Sequence, residues 1–333
     1  MKLVTPKAIL RILLLLAVLI CPVTYMVSMP GRSFSGVLPP PTADETQLAN
    51  RLRAHVSRLA VEIGPHCVTH PRSLAQSADY IAAQFAAMGY ACRTQTFEVQ
   101  DVPCRNLEVE ISGGTQSNEI IVIGAHYDTC YDTPGANDNG SGVAALLELA
   151  RACAGLHPAR TLRFVAFVNE EPPYFQTEQM GSLVYARACK ARGESITAML
   201  ALETMGFYSD EEGSQRYPRP FDRLYPNRGN FIGFIGNLGS RSLVRKCIGS
   251  FRAHAQFPSE GGAIPGSVPG VGWSDHWAFW QVGYPAIMVT DTAPFRYSYY
   301  HQSLDLPDEL DYVRLARVTL GLRAVIVDLS GTH

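Results

Sequence analysis

Apolar positions recur at helical spacing along residues 45–63, where Leu48, Leu52, Val56, Leu59 and Ile63 fall on one face. A second helix is predicted over 73–88. The Ser73-x-x-Gln76 pattern of a capping box opens it and Gly89 closes it. The period then changes, and runs rich in β-branched and aromatic residues predict strands at 91–99, 106–111 and 119–123. Beyond them helices and strands alternate: helix 142–154, strand 161–168, helix 181–192, strands 197–202 and 230–235, helix 240–255, strand 286–290 and a closing helix 307–329. Such alternation predicts one α/β domain with a mixed, mostly parallel central sheet and helices on both faces. Neither an internal repeat nor a second core is visible, so the domain is expected to run from 45 to 333.

Ahead of it the pattern is different. Lys2, Lys7 and Arg11 precede an uncharged run over 12–29, which reads as an export signal or membrane anchor, residues 1–29 in all. No small-x-small cleavage site comes after it, which favours an uncleaved tether, with the rest of the chain on the periplasmic or extracellular side. Residues 30–44, with Pro39-Pro40-Pro41, read as a linker.

Composition narrows the classes. Of 333 residues 47% are hydrophobic, enough to form a large core. Lys plus Arg (28) against Asp plus Glu (30) leaves no basic excess for a phosphate backbone, which excludes general nucleic-acid binding. None of the eight cysteines forms a C-x-x-C pair, so a thiolate zinc site is not expected; Cys67, Cys92 and Cys104 are the candidates for disulfides in an exported chain.

In α/β sheets, ligands collect at the carboxyl ends of strands. The residues just beyond each predicted strand are therefore informative. The segments are Gly124-Ala125-His126-Tyr127-Asp128, Gly135-Ala136-Asn137-Asp138-Asn139-Gly140-Ser141-Gly142, Asn169-Glu170-Glu171, Glu203-Thr204-Met205-Gly206, Ser274-Asp275-His276 and Tyr300-His301-Gln302-Ser303-Leu304-Asp305. Each alone is explained by turn chemistry or packing, His276 among its tryptophans included. Together they offer two imidazoles and three carboxylates with a glutamate to spare, a donor set suited to a pair of divalent ions, with zinc favoured by the histidines.

This order of motifs resembles the di-zinc aminopeptidase family, which includes bacterial leucine aminopeptidase, glutamate carboxypeptidases and glutaminyl cyclases. The resemblance spans roughly 45–330. It implies a zinc exopeptidase-like fold and two zinc ions per chain, with Asp138 bridging, His126 and Glu203 on one ion, and Glu171 and His301 on the other. Glu170 is then the general base, acting on a water clamped by two ions. Asp128 is expected to take the second ring nitrogen of His126, with Asp275 and Asp305 as supporting residues. The implied activity is release of N-terminal residues from peptides with a free N-terminus.

Two positions depart from the family pattern. Glu203 stands where many members carry Asp. Val271 stands where relatives of the leucine aminopeptidase type place a carbonyl-binding tyrosine, leaving Tyr300 or a tyrosine of the 206–230 loop for that task. Phe207, Tyr208 and Tyr300 are the expected pocket residues. Two rival readings are a glutaminyl cyclase-like enzyme with a single zinc and a non-catalytic binding module on the same fold. The oligomeric state is left open.

Overall fold

The computed structural model describes residues 21–331 together with Lys7, Arg11 and Val18. Helix α1 (Ala43–Ser57), which runs on in a wider turn to Ile63, and helix α2 (Pro71–Ala87) open the domain. Strands β1 (Arg93–Val99), β2 (Val102–Ile111) and β3 (Gln116–His126) come next. Then come α3 (Gly142–Cys153), β4 (Arg160–Phe167), α4 (Gly181–Ala191), β5 (Ser195–Glu203), β6 (Ile232–Gly236), α5 (Arg241–His254), β7 (Ser259–Ala263), α6 (His276–Gln281), β8 (Ala286–Thr290) and α7 (Tyr312–Ser330).

All eight strands form one sheet in the order β1-β2-β4-β3-β5-β8-β6-β7. The central strands β4, β3, β5 and β8 are parallel, whereas β1–β2, β2–β4 and β6–β8 pair antiparallel. From β3 the chain crosses to β4 on one side and then to β5 on the other. That reversal opens a crevice beyond the carboxyl ends of these strands.

Period-two alternation builds the two faces. Ile121, Ile123 and Ala125 of β3 join the larger core, with Val56 of α1, Phe85 of α2, Leu146 of α3, Phe251 of α5 and Leu322 of α7. Ile120 and Val122 point the other way, to Leu183 and Tyr185 of α4 and Phe279 of α6. The sheet is thus covered on both sides, as the alternation predicts.

Some details differ from the sequence reading. Helix α2 starts at Pro71, whose fixed φ suits a first helical position, so Ser73 lies inside the helix and caps nothing. The capping box is at α1 instead, where Thr42 Oγ1 accepts from Glu45 N and Glu45 Oε2 accepts from Thr42 N. The closing helix begins at Tyr312, capped by Asp311, after a separate short turn at Pro307–Glu309. Residues 30–44 have no helix or strand before Ala43 and are mostly exposed, with their first residues held to the domain: Arg252 Nη1 donates to Pro30 O (3.0 Å) and Ser259 N to Ser33 Oγ (2.9 Å). Cys67, Cys92 and Cys104 are free thiols. The expected anchor over 12–29 lies partly outside the described residues; among these, no helix is long and apolar enough to cross a membrane.

One buried cluster ties α1 to α3. Glu148 accepts from Arg51 Nε (2.8 Å) and Arg151 Nε (3.1 Å), with His55 Nε2 at 3.2 Å. Burial works to raise its carboxyl, but these partners outweigh it and hold the group down at about 2. A carboxyl depressed on folding contributes stability above its unfolded pKa and loses it as pH falls towards the folded one. Arg51 and Arg151 are partly solvated, which screens the effect to about 2 kcal/mol. Because pH 3 is still about a unit above the folded value, urea unfolding at pH 6 and pH 3 is expected to show the native chain losing about 1 kcal/mol more than Glu148→Gln.

Candidate metal centre

Five potential donors stand at or just beyond carboxyl ends of the central strands. His126 is the last residue of β3, and Glu203 the last of β5. Glu171 comes after β4, once Asn169 has turned the chain with a positive φ of 61°, a conformation asparagine tolerates. Asp138 lies in the Ala136–Ser141 segment before α3, and His301 in the loop after β8.

Hydrogen bonds fix the acidic segment against the end of β5. Asn139 Nδ2 donates to Leu202 O (2.8 Å), while its Oδ1 accepts from Thr204 N (3.0 Å). Asn137 Oδ1 accepts from Gly206 N (2.8 Å), and Ser141 Oγ from Met205 N (2.8 Å). Thr204 is held at φ 41°, a costly conformation for a β-branched residue, by this bond and by Asp291 N donating to its carbonyl. The approach is close enough to require glycine at 142, where a Cβ would meet Asn139 Oδ1 at 2.3 Å and Leu202 O at 2.5 Å. From below, Asp305 accepts from Asn137 N (2.7 Å) and Asp138 N (3.1 Å).

The donors fall into two groups that share Asp138. His126 Nε2 lies 3.4 Å from Asp138 Oδ1 and 3.3 Å from Glu203 Oε2. His301 Nε2 lies 3.0 Å from Asp138 Oδ2 and 3.2 Å from Glu171 Oε2. Yet His126 Nε2, Asp138 Oδ2, Glu171 Oε1 and His301 Nε2 have no aligned hydrogen-bond partner. Atoms that converge without bonding one another could hold a metal ion between them. Glu170 Oε2, 3.8 Å from His126 Nε2, belongs to neither group.

Electrostatics point the same way. Burial, reinforced by neighbouring carboxylates, pushes Glu170 and Glu171 well above the usual carboxylate range and also raises Glu203. Asp138 goes the other way: the two imidazoles outweigh its burial and hold it below that range. Burial opposes charge on both histidines as well, but Glu203 and Glu170 raise His126, and Asp138 raises His301 to about 10. So much buried negative charge against two imidazoles is the imbalance that divalent cations relieve, and nitrogen and oxygen donors fit zinc.

Around the donors stand the supporting residues. Asp128 does not hydrogen-bond the His126 ring through its carboxylate, which is 3.6 Å away; His126 Nδ1 faces the Asp128 carbonyl at 3.2 Å. The carboxylate accepts instead from Glu170 N and Glu171 N, both at 3.0 Å. Asp275 is buried with neither oxygen hydrogen-bonded, and burial pushes it up to about 7. His276 is packing: it meets Trp280 edge-on and Val271 O at 2.8 Å, and burial lowers it to about 4.

Beside the centre lies an apolar recess of about 830 Å³ including its mouth, bordered by Glu203 and Tyr300. Of the expected pocket residues only Tyr300 lines it. Tyr208 is a correction: it is buried in the main core, with its hydroxyl donating to Met205 O. Phe207 is another, since it packs on Tyr297 with ring centroids 4.9 Å apart. The walls come from Tyr217, Phe221, Ile264, Val271, Trp273 and Phe295. The sequence reading also missed Ser274, whose Oγ donates to Glu203 Oε2 (2.7 Å), and Asp291, which accepts from Asn137 Nδ2 and Phe207 N. A further missed residue, Cys130, has its Sγ beside Glu171 and His301.

Known proteins resemble the chain in sequence and in fold. Over 268 residues the chain is 38% identical to Uncharacterized protein YfbL of Escherichia coli K12, a match that covers 76% of this chain and 81% of that one. A zinc aminopeptidase from Bacillus subtilis superposes over 84% of this chain and 95% of its own, with a TM-score of 0.67 at 14% identity. Glutaminyl cyclase from Porphyromonas gingivalis does so over 84% and 98%, with a TM-score of 0.61 at 19% identity. At those identities the two structures speak for the fold. Peptidase family M28 matches residues 106–326, covering the sheet from β2 onward and every donor named above, and the chain belongs to that family.

Proposed function

We propose that the chain is a two-zinc aminopeptidase that releases apolar residues from the N-termini of peptides. The observation that carries this reading is the pair of donor groups sharing Asp138, with Glu170 beside them and in neither. His126, Asp138 and Glu203 would hold one ion, and Asp138, Glu171 and His301 the other. When bound, such a pair acidifies a water and polarises the scissile carbonyl.

The chain's own residues do the rest. Glu170, free of ligand duty, receives the water's proton on its carboxylate and delivers it to the departing amine. Among candidate donors to the carbonyl oxygen, Tyr208, Tyr217 and Tyr225 have hydroxyls committed to backbone carbonyls. Tyr300, stacked on His301 with centroids 3.9 Å apart, is the tyrosine at both the centre and the recess. The recess walls, largely apolar with Glu203 and Glu260 as their charged residues, favour an apolar first side chain over an acidic one, since a buried anion there lacks compensation. Export, with residues 12–29 as a tether, belongs to the same reading and is supported by the basic residues ahead of that run.

The test is zinc content measured beside turnover of aminoacyl anilides. Two zinc ions are expected, with kcat/KM for leucine or phenylalanine anilides about 10–100-fold above glutamate anilides. One zinc, with glutamine cyclisation and no hydrolysis, would favour the cyclase reading. No metal and no turnover would leave a binding module.

A further inference from the structure

Cys130 lies four residues beyond His126, in the loop leaving β3, and is only 5% exposed. Its Sγ, a Glu171 oxygen and a His301 ring nitrogen all lie within 4.8 Å of one another. A buried cysteine alone is an ordinary core residue. Here a second observation points to a ligand: Glu171 is 3% exposed, and its Oε1 has no hydrogen-bond partner. Asp138 Oδ2, also unpartnered, lies 3.0 Å from His301 Nε2. Sulfur, a carboxylate oxygen and a ring nitrogen thus converge, and Asp138 reaches the same histidine, so the four residues together offer the number and kinds of donor that zinc takes in a four-coordinate site.

We infer that Cys130 is a thiolate ligand of the ion held by Glu171 and His301. This inference rests on the two-metal reading and makes the pair unequal. The ion at His126, Asp138 and Glu203 has nitrogen and oxygen donors, whereas its neighbour adds sulfur. A soft donor biases that position towards zinc, cobalt or cadmium and away from magnesium or manganese. The thiol gives up its proton to solvent as the metal binds, so no other reactant is needed. Among the described residues no other cysteine joins such a group of donors.

The experiment titrates the metal-stripped full-length chain with cobalt(II) and monitors near-ultraviolet absorption, for the native protein and Cys130→Ser. Two cobalt ions are expected in the native protein, with a thiolate-to-cobalt charge-transfer band growing with one of the two equivalents. Cys130→Ser is expected to keep cobalt's visible bands, lose the charge-transfer band, and bind one zinc roughly 10–100-fold more weakly, the range seen when partners of metal ligands are lost. X-ray absorption of the native zinc form needs no variant, and should show one sulfur per two zinc ions at about 2.3 Å. Two cobalt ions without the band, a band that survives in Cys130→Ser, or zinc with no sulfur neighbour would each overturn the thiolate and leave the two-metal centre standing. A native chain that takes up no metal would overturn both.

Discussion

Glu170→Gln is expected to lower kcat for aminoacyl-anilide hydrolysis by about 10²–10⁴-fold, the span of general acid–base catalysis, with both metal equivalents retained. The substitution keeps the side chain's shape and removes only its capacity to take a proton. Metal is retained because Glu170 lies outside both donor groups, while Glu171, the next residue, has an oxygen 3.2 Å from His301 Nε2. The backbone separates the two roles: each glutamate's N–H is held by a different oxygen of Asp128. Little change in KM is expected, since the recess walls come from other segments. Zinc content by elemental analysis, set beside kcat and KM, checks the prediction. A Glu170→Gln protein lacking one zinc would make Glu170 a ligand and return the base role to another group.

The parts legible in the sequence were those with a local physical cause. β3 and β4 declare themselves because a strand buried on both faces is apolar at nearly every position, and the donors declare themselves because such strands should not end in paired carboxylates. β7 was not legible: Ser259-Glu260-Gly261-Gly262-Ala263 has no apolar rhythm and becomes a strand by pairing with β6. Ser73 and Gln76 match a capping box, but Pro71 had already set the helix in motion. Asn137, Asn139 and Ser274 look like turn residues until the fold brings them to the ends of β5 and β8. Cys130 escaped for a related reason, as it meets Glu171 and His301 only across loops. Aromatic content marked the 206–230 loop as a pocket wall, yet burial carried Tyr208 into the core and left Tyr217 at the recess.

Asp128 supports the second large prediction, because its place in the structure differs from the one the family resemblance implies. A carboxylate paired with the His126 ring would tune one ligand. A carboxylate that accepts from both Glu170 N and Glu171 N fixes the proposed base and a proposed ligand together, while the Asp128 carbonyl faces the His126 ring. In Asp128→Asn one oxygen still accepts, but the NH₂ group confronts the other buried N–H, leaving a donor without a partner at a cost of about 1–3 kcal/mol. Zinc affinity is expected to fall roughly 10–100-fold, as when the partners of metal ligands are removed. Turnover should therefore fall steeply at limiting zinc and recover in large part when zinc is in excess. Glu170→Gln should show no such recovery, so the free-zinc dependence of kcat separates a residue that positions the centre from one that moves the proton. Competition with a zinc chelator gives the affinity directly; an Asp128→Asn protein with native zinc affinity and no response to added zinc would confine Asp128 to shaping the loop. Asp128→Ala, which leaves both N–H groups without a protein acceptor, should lose at least as much zinc affinity, since nothing else within the described residues takes those two donors.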